Sequence, residues 1–224
     1  HQNNEILDLE IVEDESQAQE IIFESKSLQV AYVPVSQLSL PETMLPADQA
    51  ILIKQAQDNQ IKKILLLAEV NHELQKSIDL ANNNPFDGFL LYKLQYSDLS
   101  SLSKAFSAEQ VDAVTSAILS IENDRSYILG DQTGIGKGRS LAGMLRYSLI
   151  NGFRPVFFTR NAQLFNDLWR DIVDTGTDKF ISNPFIFNSD GFITHKDKVV
   201  YSPMKTSDIY NLDRISNQFD IIFS

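Results

Sequence analysis

A short apolar run, Tyr127-Ile-Leu129, leads into Gly-Asp-Gln-Thr-Gly-Ile-Gly-Lys-Gly-Arg139, which holds Gly134, Gly136 and Gly138 with Lys137 after the second of them. Beyond it Leu141, Met144, Leu145 and Leu149 recur at helical spacing. Strand, glycine-rich turn, lysine and helix in this order predict a phosphate cradle. Glycines let main-chain N–H groups point inward, the helix N-terminus adds about half a positive charge, and a lysine reaches the outer phosphates. The strict pattern asks for Ser or Thr directly after the lysine, where this chain has Gly138, and for Gly six residues before it, where it has Asp131. The cradle is therefore a variant, and its surroundings decide what it means.

Those surroundings alternate. Pro155-Val-Phe-Phe-Thr159 reads as a second buried strand of a parallel sheet, and Asn161 stands at the head of a helix carrying Leu164, Phe165, Leu168, Trp169 and Ile172. Thr175-Gly176 ends it, and Trp169 is expected in the core. Phe185-Ile-Phe187, Val199-Val-Tyr201 and Phe219–Ser224 are expected strands. The fold class predicted is α/β, a P-loop (RecA-like) parallel sheet that is incomplete within this chain. Thr159 and Arg160 would then lie at the carboxyl end of a strand, where such sheets bind ligands, either as a nucleic-acid phosphate contact or as an ordinary capped turn.

Upstream the pattern is helical. Ile51 to Leu67 supply apolar stripes, Leu74, Ile78 and Leu80 continue them past Asn71, and Asn82-Asn-Asn-Pro85 is a stop. Phe89 to Leu94 form a further short helix, Ser97–Ser103 a turn or another one. Ser107-Ala-Glu-Gln110 opens a helix to about Glu122. Gln110 has two readings: the partner of Ser107 in a capping box, or an amide that pairs with the N6 and N7 edge of adenine. Residues 1–45 are expected to be an acidic extended arm, with Leu28–Val35 as a strand; 46–103 a helical accessory region; 104–224 the N-terminal part of the nucleotide-binding lobe. Glu13-Asp14-Glu15 follows an apolar run as a magnesium-binding acidic motif does, but it precedes the lysine loop, and a solvated acidic arm is the better reading.

Composition excludes several classes. There is no cysteine among the 224 residues, hence no disulfide, Cys-based zinc site or thiol chemistry, and His1, His72 and His195 are too scattered for a metal cluster. No apolar run approaches the ~20 residues of a membrane span, and no basic-then-apolar leader is present. A net charge of −11 argues against a surface that grips nucleic acid throughout, yet residues 125–170 carry seven Lys or Arg against two Asp. The opening on His1 rather than Met points to an excised fragment or a tag remnant.

Phe106–Val114, Ile128–Arg139 and Pro155–Thr159 together resemble the strawberry notch-type helicase-like ATPases of helicase superfamily 2, whose bacterial and phage members are very large proteins. The Gly-Lys-Gly-Arg form of the loop is itself typical of that group, so Gly138 fits the resemblance. It implies that Thr133, Gly134, Ile135, Gly136, Lys137, Gly138 and Arg139 bind ATP with Mg2+, with Lys137 the catalytic lysine. It implies likewise that Gln110 contacts adenine and that Thr159 and Arg160 touch DNA. The implied partners are DNA and a second motor lobe of the same polypeptide, with no membrane; the implied setting is a bacterial cytoplasm or a phage virion, with DNA protection from restriction as one role. The acidic motif and arginine fingers would lie beyond Ser224, so this chain alone is expected to be catalytically silent. Two other readings are a non-hydrolysing interaction module that keeps the loop as structure, and a small-molecule kinase; the strand at Ser224 speaks against the second.

Overall fold

The computed structural model describes residues 47–130, 136–187, 191–204 and 219–224, all within one compact unit spanning 31–224. The expected arm, the strand at Leu28–Val35 and the loop residues Thr133, Gly134 and Ile135 lie outside the described residues.

The helices begin and end where local chemistry says they should. α1 (Ala47–Val70) gives way at Asn71, whose side-chain oxygen accepts from the N–H of Leu74 and so caps α2 (His72–Leu80). Asn82 and Asn83 then adopt positive φ, and Asn84 caps α3 (Pro85–Leu94), with Pro85 at the first helical position. Asp98 caps α4 (Leu99–Ala105), the second of the two possibilities for this stretch. α5 (Ala108–Ile121) is buried along most of its length, from Gln110 to Leu119.

One apolar cluster joins these helices: Ile64, Leu74, Phe89, Leu90, Leu94, Leu102, Val114 and Ile118 are all nearly inaccessible. Burying an aliphatic or aromatic side chain of this kind contributes about 1.5–3 kcal/mol. α1 also keeps a second, exposed apolar side that includes Leu66 and Val70. Gln60 of α1 hydrogen-bonds Ser116 of α5 at 3.0 Å, tying the outer helix to the central one.

A second cluster lies under the sheet. α6 (Lys137–Ile150) and α7 (Leu164–Asp174) supply Ala142, Leu145, Phe165, Leu168, Trp169 and Ile172, packed against strands β1 (Val156–Phe157), β2 (Pro184–Ile186) and β5 (Ile221–Phe223). The sheet order is β1-β5-β2, and both pairings are parallel. Its hydrogen bonds run past the short β1, from the Pro155 carbonyl to the Thr159 N–H, which donates to the Ser224 carbonyl at 2.9 Å. β3 (Ile193–His195) and β4 (Lys198–Tyr201) form a separate antiparallel hairpin. Trp169 is core, edge-on to Tyr201 with ring centres 5.1 Å apart.

Three expectations need correction. Tyr127–Leu129 is not a strand in the structure: alternate residues are exposed, Ile128 by 82%, and the segment belongs to neither sheet formed by the described residues. The strand Pro155–Thr159 is not buried on both faces, because β1 is at the sheet's edge and turns Val156 and Phe158 outward while Phe157 packs on Phe165 and Phe223. Asn161 does not cap α7 itself. Its Oδ1 accepts from the N–H of Gln163 in a preceding turn, and the helix proper starts at Leu164.

The fold is thus a mixed helix and strand structure, with a helical N-terminal layer before a small parallel sheet. No helix among the described residues is long and apolar enough to cross a membrane.

Candidate functional site at the head of helix α6

The glycine loop delivers the chain to α6 through Gly136, which serves as N-cap with φ of 76° and ψ of 37°. This is the left-handed region, where an L side chain costs about 1–2 kcal/mol. Space is closed as well: a Cβ on Gly136 would lie 2.3 Å from Nε2 of Gln110. Lys137 is then the first helical residue and Gly138 the second, so both sit where the macrodipole is most positive.

Gln110 is bound at both ends of its amide. Oε1 accepts from the Ser107 N–H at 3.0 Å, and with Ser107 it completes a capping box at the head of α5. Nε2 donates to the Gly136 carbonyl at 3.2 Å. One side chain therefore fixes the start of α5 and the last turn of the glycine loop together. The capping reading of Gln110 is realised, and the same amide places it against the loop.

Arg139 spans outward from the first turn of α6. Nη1 donates to the carbonyls of Lys104 and Ala105, each at 3.2 Å, and Nη2 pairs with Asp174 at 2.9 Å. It fastens the head of α6 to the end of α4 and to α7. Thr159 and Arg160 lie at the carboxyl end of β1, and the Thr159 hydroxyl accepts from the N–H of Asn161 at 3.3 Å. Arg160 is exposed.

The local excess of basic residues is partly internal. Arg146, buried in α6, makes four hydrogen bonds to main-chain carbonyls: Leu94 at 2.6 Å, Gly176 at 3.0 Å, and Gln95 and Thr175 at 3.3 Å. Its guanidinium thereby closes the C-termini of α3 and α7 together, the ends at which a cation is favoured. It lies between the rings of Tyr96 and Phe180, 4.1 and 4.7 Å from their centres. Burial lowers its pKa, while Tyr96 and Asp178 act in the opposite direction.

One residue of this site escaped the sequence reading. Asp171, on α7, brings Oδ2 to 1.9 Å from where a Cβ on Gly138 would be. Burial pushes its pKa up, against the opposing pull of Arg170 and Arg139. The signal lay in Gly138 itself: a missing hydroxyl directs the search to an oxygen from a neighbouring helix. Among the described residues there is no group of three or more His, Asp or Glu suited to a metal ion.

A parallel sheet with a glycine turn, a lysine at a helix head and close-packed glycines there defines the class of phosphate-loop α/β proteins. A family model described as P-loop containing NTP hydrolase pore-1 matches residues 71–197, more than half of the chain. The chain belongs to this family of P-loop NTP hydrolases, a membership that points to nucleotide binding, typically with Mg2+. The matched stretch takes in α2 to α5 as well as the loop. No curated protein and no solved structure matches the chain.

Proposed function

We propose that this chain is the ATP-binding part of a helicase-like, ATP-driven DNA translocase or remodeller of the strawberry notch type. The observation that carries the reading is the bond from Gln110 to the Gly136 carbonyl. That bond ties the amide at the head of α5 to the turn that would hold the phosphates; to read adenine, Gln110 would exchange its bonds to Ser107 and Gly136 for the base edge. Lys137 and the loop amides Thr133 to Arg139 are the phosphate contacts in this reading, with Lys137 steadying charge on the outer phosphates. Thr159 and Arg160, at the carboxyl end of β1, the end at which such folds bind ligands, are the DNA contacts in this reading. DNA and a second motor lobe are the partners, in a bacterial cytoplasm or a phage virion, and protection of incoming DNA is the biological role that fits.

The residues fit a nucleotide on structural grounds. The head of a 14-residue helix, led by Lys137, offers an anion its positive end, and the lack of side chains at Gly136 and Gly138 lets Gln110 and Asp171 reach it. Mg2+, when bound, would neutralise phosphate charge. Titration of a fluorescent ATP analogue into the 224-residue chain, with magnesium and with EDTA, tests the proposal. Binding is expected, and Lys137→Ala should weaken it by about tenfold or more, the scale of one lost charge-assisted contact. Absence of binding in both conditions overturns the reading.

The interaction-module reading keeps one specific support, the absence of a hydroxyl at Gly138. It predicts that ATP analogues do not bind, so the same titration separates the two.

A further inference from the structure

The strict phosphate loop places a hydroxyl after its lysine to hold the metal ion that accompanies the nucleotide. This chain has Gly138 there, and the place is not vacant. A Cβ built on Gly138 meets Asp171 Oδ2 at 1.9 Å and Cγ at 3.0 Å. The Oδ2 atom is thus little more than one covalent bond from that Cβ, in the volume through which a Ser or Thr side chain at 138 would extend.

Asp171 is held there firmly. Its helix is anchored on one side by Phe165, Leu168, Trp169 and Ile172, each at most 5% exposed. On the other side the Arg139–Asp174 pair, at 2.9 Å, binds the last turn of α7 to α6. The Asp171 side chain is only 15% exposed. Among the described residues neither of its oxygens accepts a hydrogen bond; the nearest cation is Arg170 Nε, 3.9 Å from Oδ1. Arg139, which could have neutralised it, is committed to Asp174 and two carbonyls. With only a loose ion pair to Arg170 and the more distant charge of Arg139, this largely shielded carboxylate has room for a further cation.

We propose that Asp171 supplies, from α7, the magnesium-directed oxygen that Gly138 lacks, so that the metal of the bound nucleotide is held by a carboxylate where the strict loop uses a hydroxyl. Magnesium takes one or two carboxylates and keeps several of its waters, so an inner-sphere contact or one through a metal-bound water satisfies the same chemistry. Gly138 is then obligatory in this chain, since any side chain there displaces the carboxylate. Two further charges face the group from α7 itself, Asp167 and Asp174, and both raise its proton affinity.

This inference rests on the nucleotide-binding reading, and the two can fail separately. Without metal, Asp171 repels the triphosphate; with metal, it attracts the complex. Asp171→Asn, which keeps shape and removes charge, should therefore bind a fluorescent ATP analogue in EDTA as well as the parent chain or better. The gain on adding magnesium should fall by about 10-fold to 100-fold, the range seen when metal-orienting groups are lost. The affinity of the ATP-loaded chain for Mn2+, followed by electron paramagnetic resonance, should drop in parallel. The double variant Gly138→Ser with Asp171→Ala should recover much of the magnesium gain, because a hydroxyl replaces the carboxylate. An undiminished magnesium gain in Asp171→Asn overturns the proposal, as does equal weakening with and without metal in a variant of unchanged melting temperature. If the parent chain binds in neither condition, the nucleotide reading itself falls and this one with it.

Discussion

The two halves of α6 treat positive charge in opposite ways. At the head, Lys137 and the helix dipole gather positive potential, and Gly136 and Gly138 give their space to Gln110 and Asp171 rather than to side chains of their own. Two turns later Arg146 fills its space, with its four hydrogen bonds going to main-chain carbonyls at the ends of α3 and α7 and with the rings of Tyr96 and Phe180 beside it. Both ends involve helix termini: the first is the one offered to the proposed nucleotide, and the second caps two others. A count of basic residues along the sequence cannot separate these uses, because both read as Lys or Arg near glycines. What separates them is whether neighbouring carbonyls converge on the guanidinium.

The largest break in this comparison is expected from Arg146→Met. The thioether keeps much of the length and apolar packing but removes the guanidinium donor from the carbonyls of Leu94, Gln95 and Gly176 and leaves Thr175 with that of Tyr96. Each buried acceptor left without a donor costs about 1–3 kcal/mol, so a loss of at least about 3 kcal/mol is expected from the three stranded carbonyls. Denaturant unfolding should show a loss of that size, with the midpoint moved and the slope kept. A loss under about 1 kcal/mol would mean that water replaces the guanidinium at little cost, and that Arg146 is no staple.

At the other end, Gly136→Ala should cost less stability but more function. A Cβ meets both a φ of 76° and the Nε2 of Gln110 at 2.3 Å. The glutamine amide can yield, giving up its bond to the loop, so the expected loss is about 1–3 kcal/mol from strain and one hydrogen bond. Binding of the fluorescent ATP analogue should weaken beyond what that stability loss explains. Wild-type binding with a lowered melting temperature would show that Gly136 serves only the turn.

How much of this was legible follows the range of the interactions involved. Asn71, Asn84, Asp98 and Ser107 mark helix starts because a cap is satisfied within three residues of itself. The start of α6 directly after Gly136 was legible for the same reason. The extent of strand at Tyr127–Leu129 was not, because a strand exists only with a partner elsewhere in the chain. The β3–β4 hairpin went unrecognised in its first strand because its turn is made by Lys196 and Asp197, with φ of 50° and 61°, rather than by the Asn-Gly that signals such turns. Asp171 and Arg146 act across 33 and 52 residues of sequence, on Gly138 and Leu94. No local pattern carries that information.

The finest test of the staple concerns Tyr96, which stacks on Arg146 and donates its hydroxyl to the Thr175 carbonyl at 2.6 Å. Burial pushes its phenol up to about 12, against the opposing effect of Arg146, from an ordinary value of 10.0. A folded-state pKa above the unfolded one means that the folded chain holds its proton longer. The associated stability is complete below pH 10 and is lost as pH rises through 10 toward 12. Tyr96→Phe should cost about 1 kcal/mol near neutrality, the worth of one hydrogen bond, and should flatten part of the alkaline decline. It should not abolish that decline, since Tyr147 is pushed up to about 12 as well, by burial and by Glu122. Chemical denaturation of the two proteins at neutral pH and near pH 11 measures both effects. Parallel pH profiles would show that the phenol at position 96 is already deprotonated like a free tyrosine, and that the ring alone, stacked on the guanidinium, accounts for its place between the helical layer and α7.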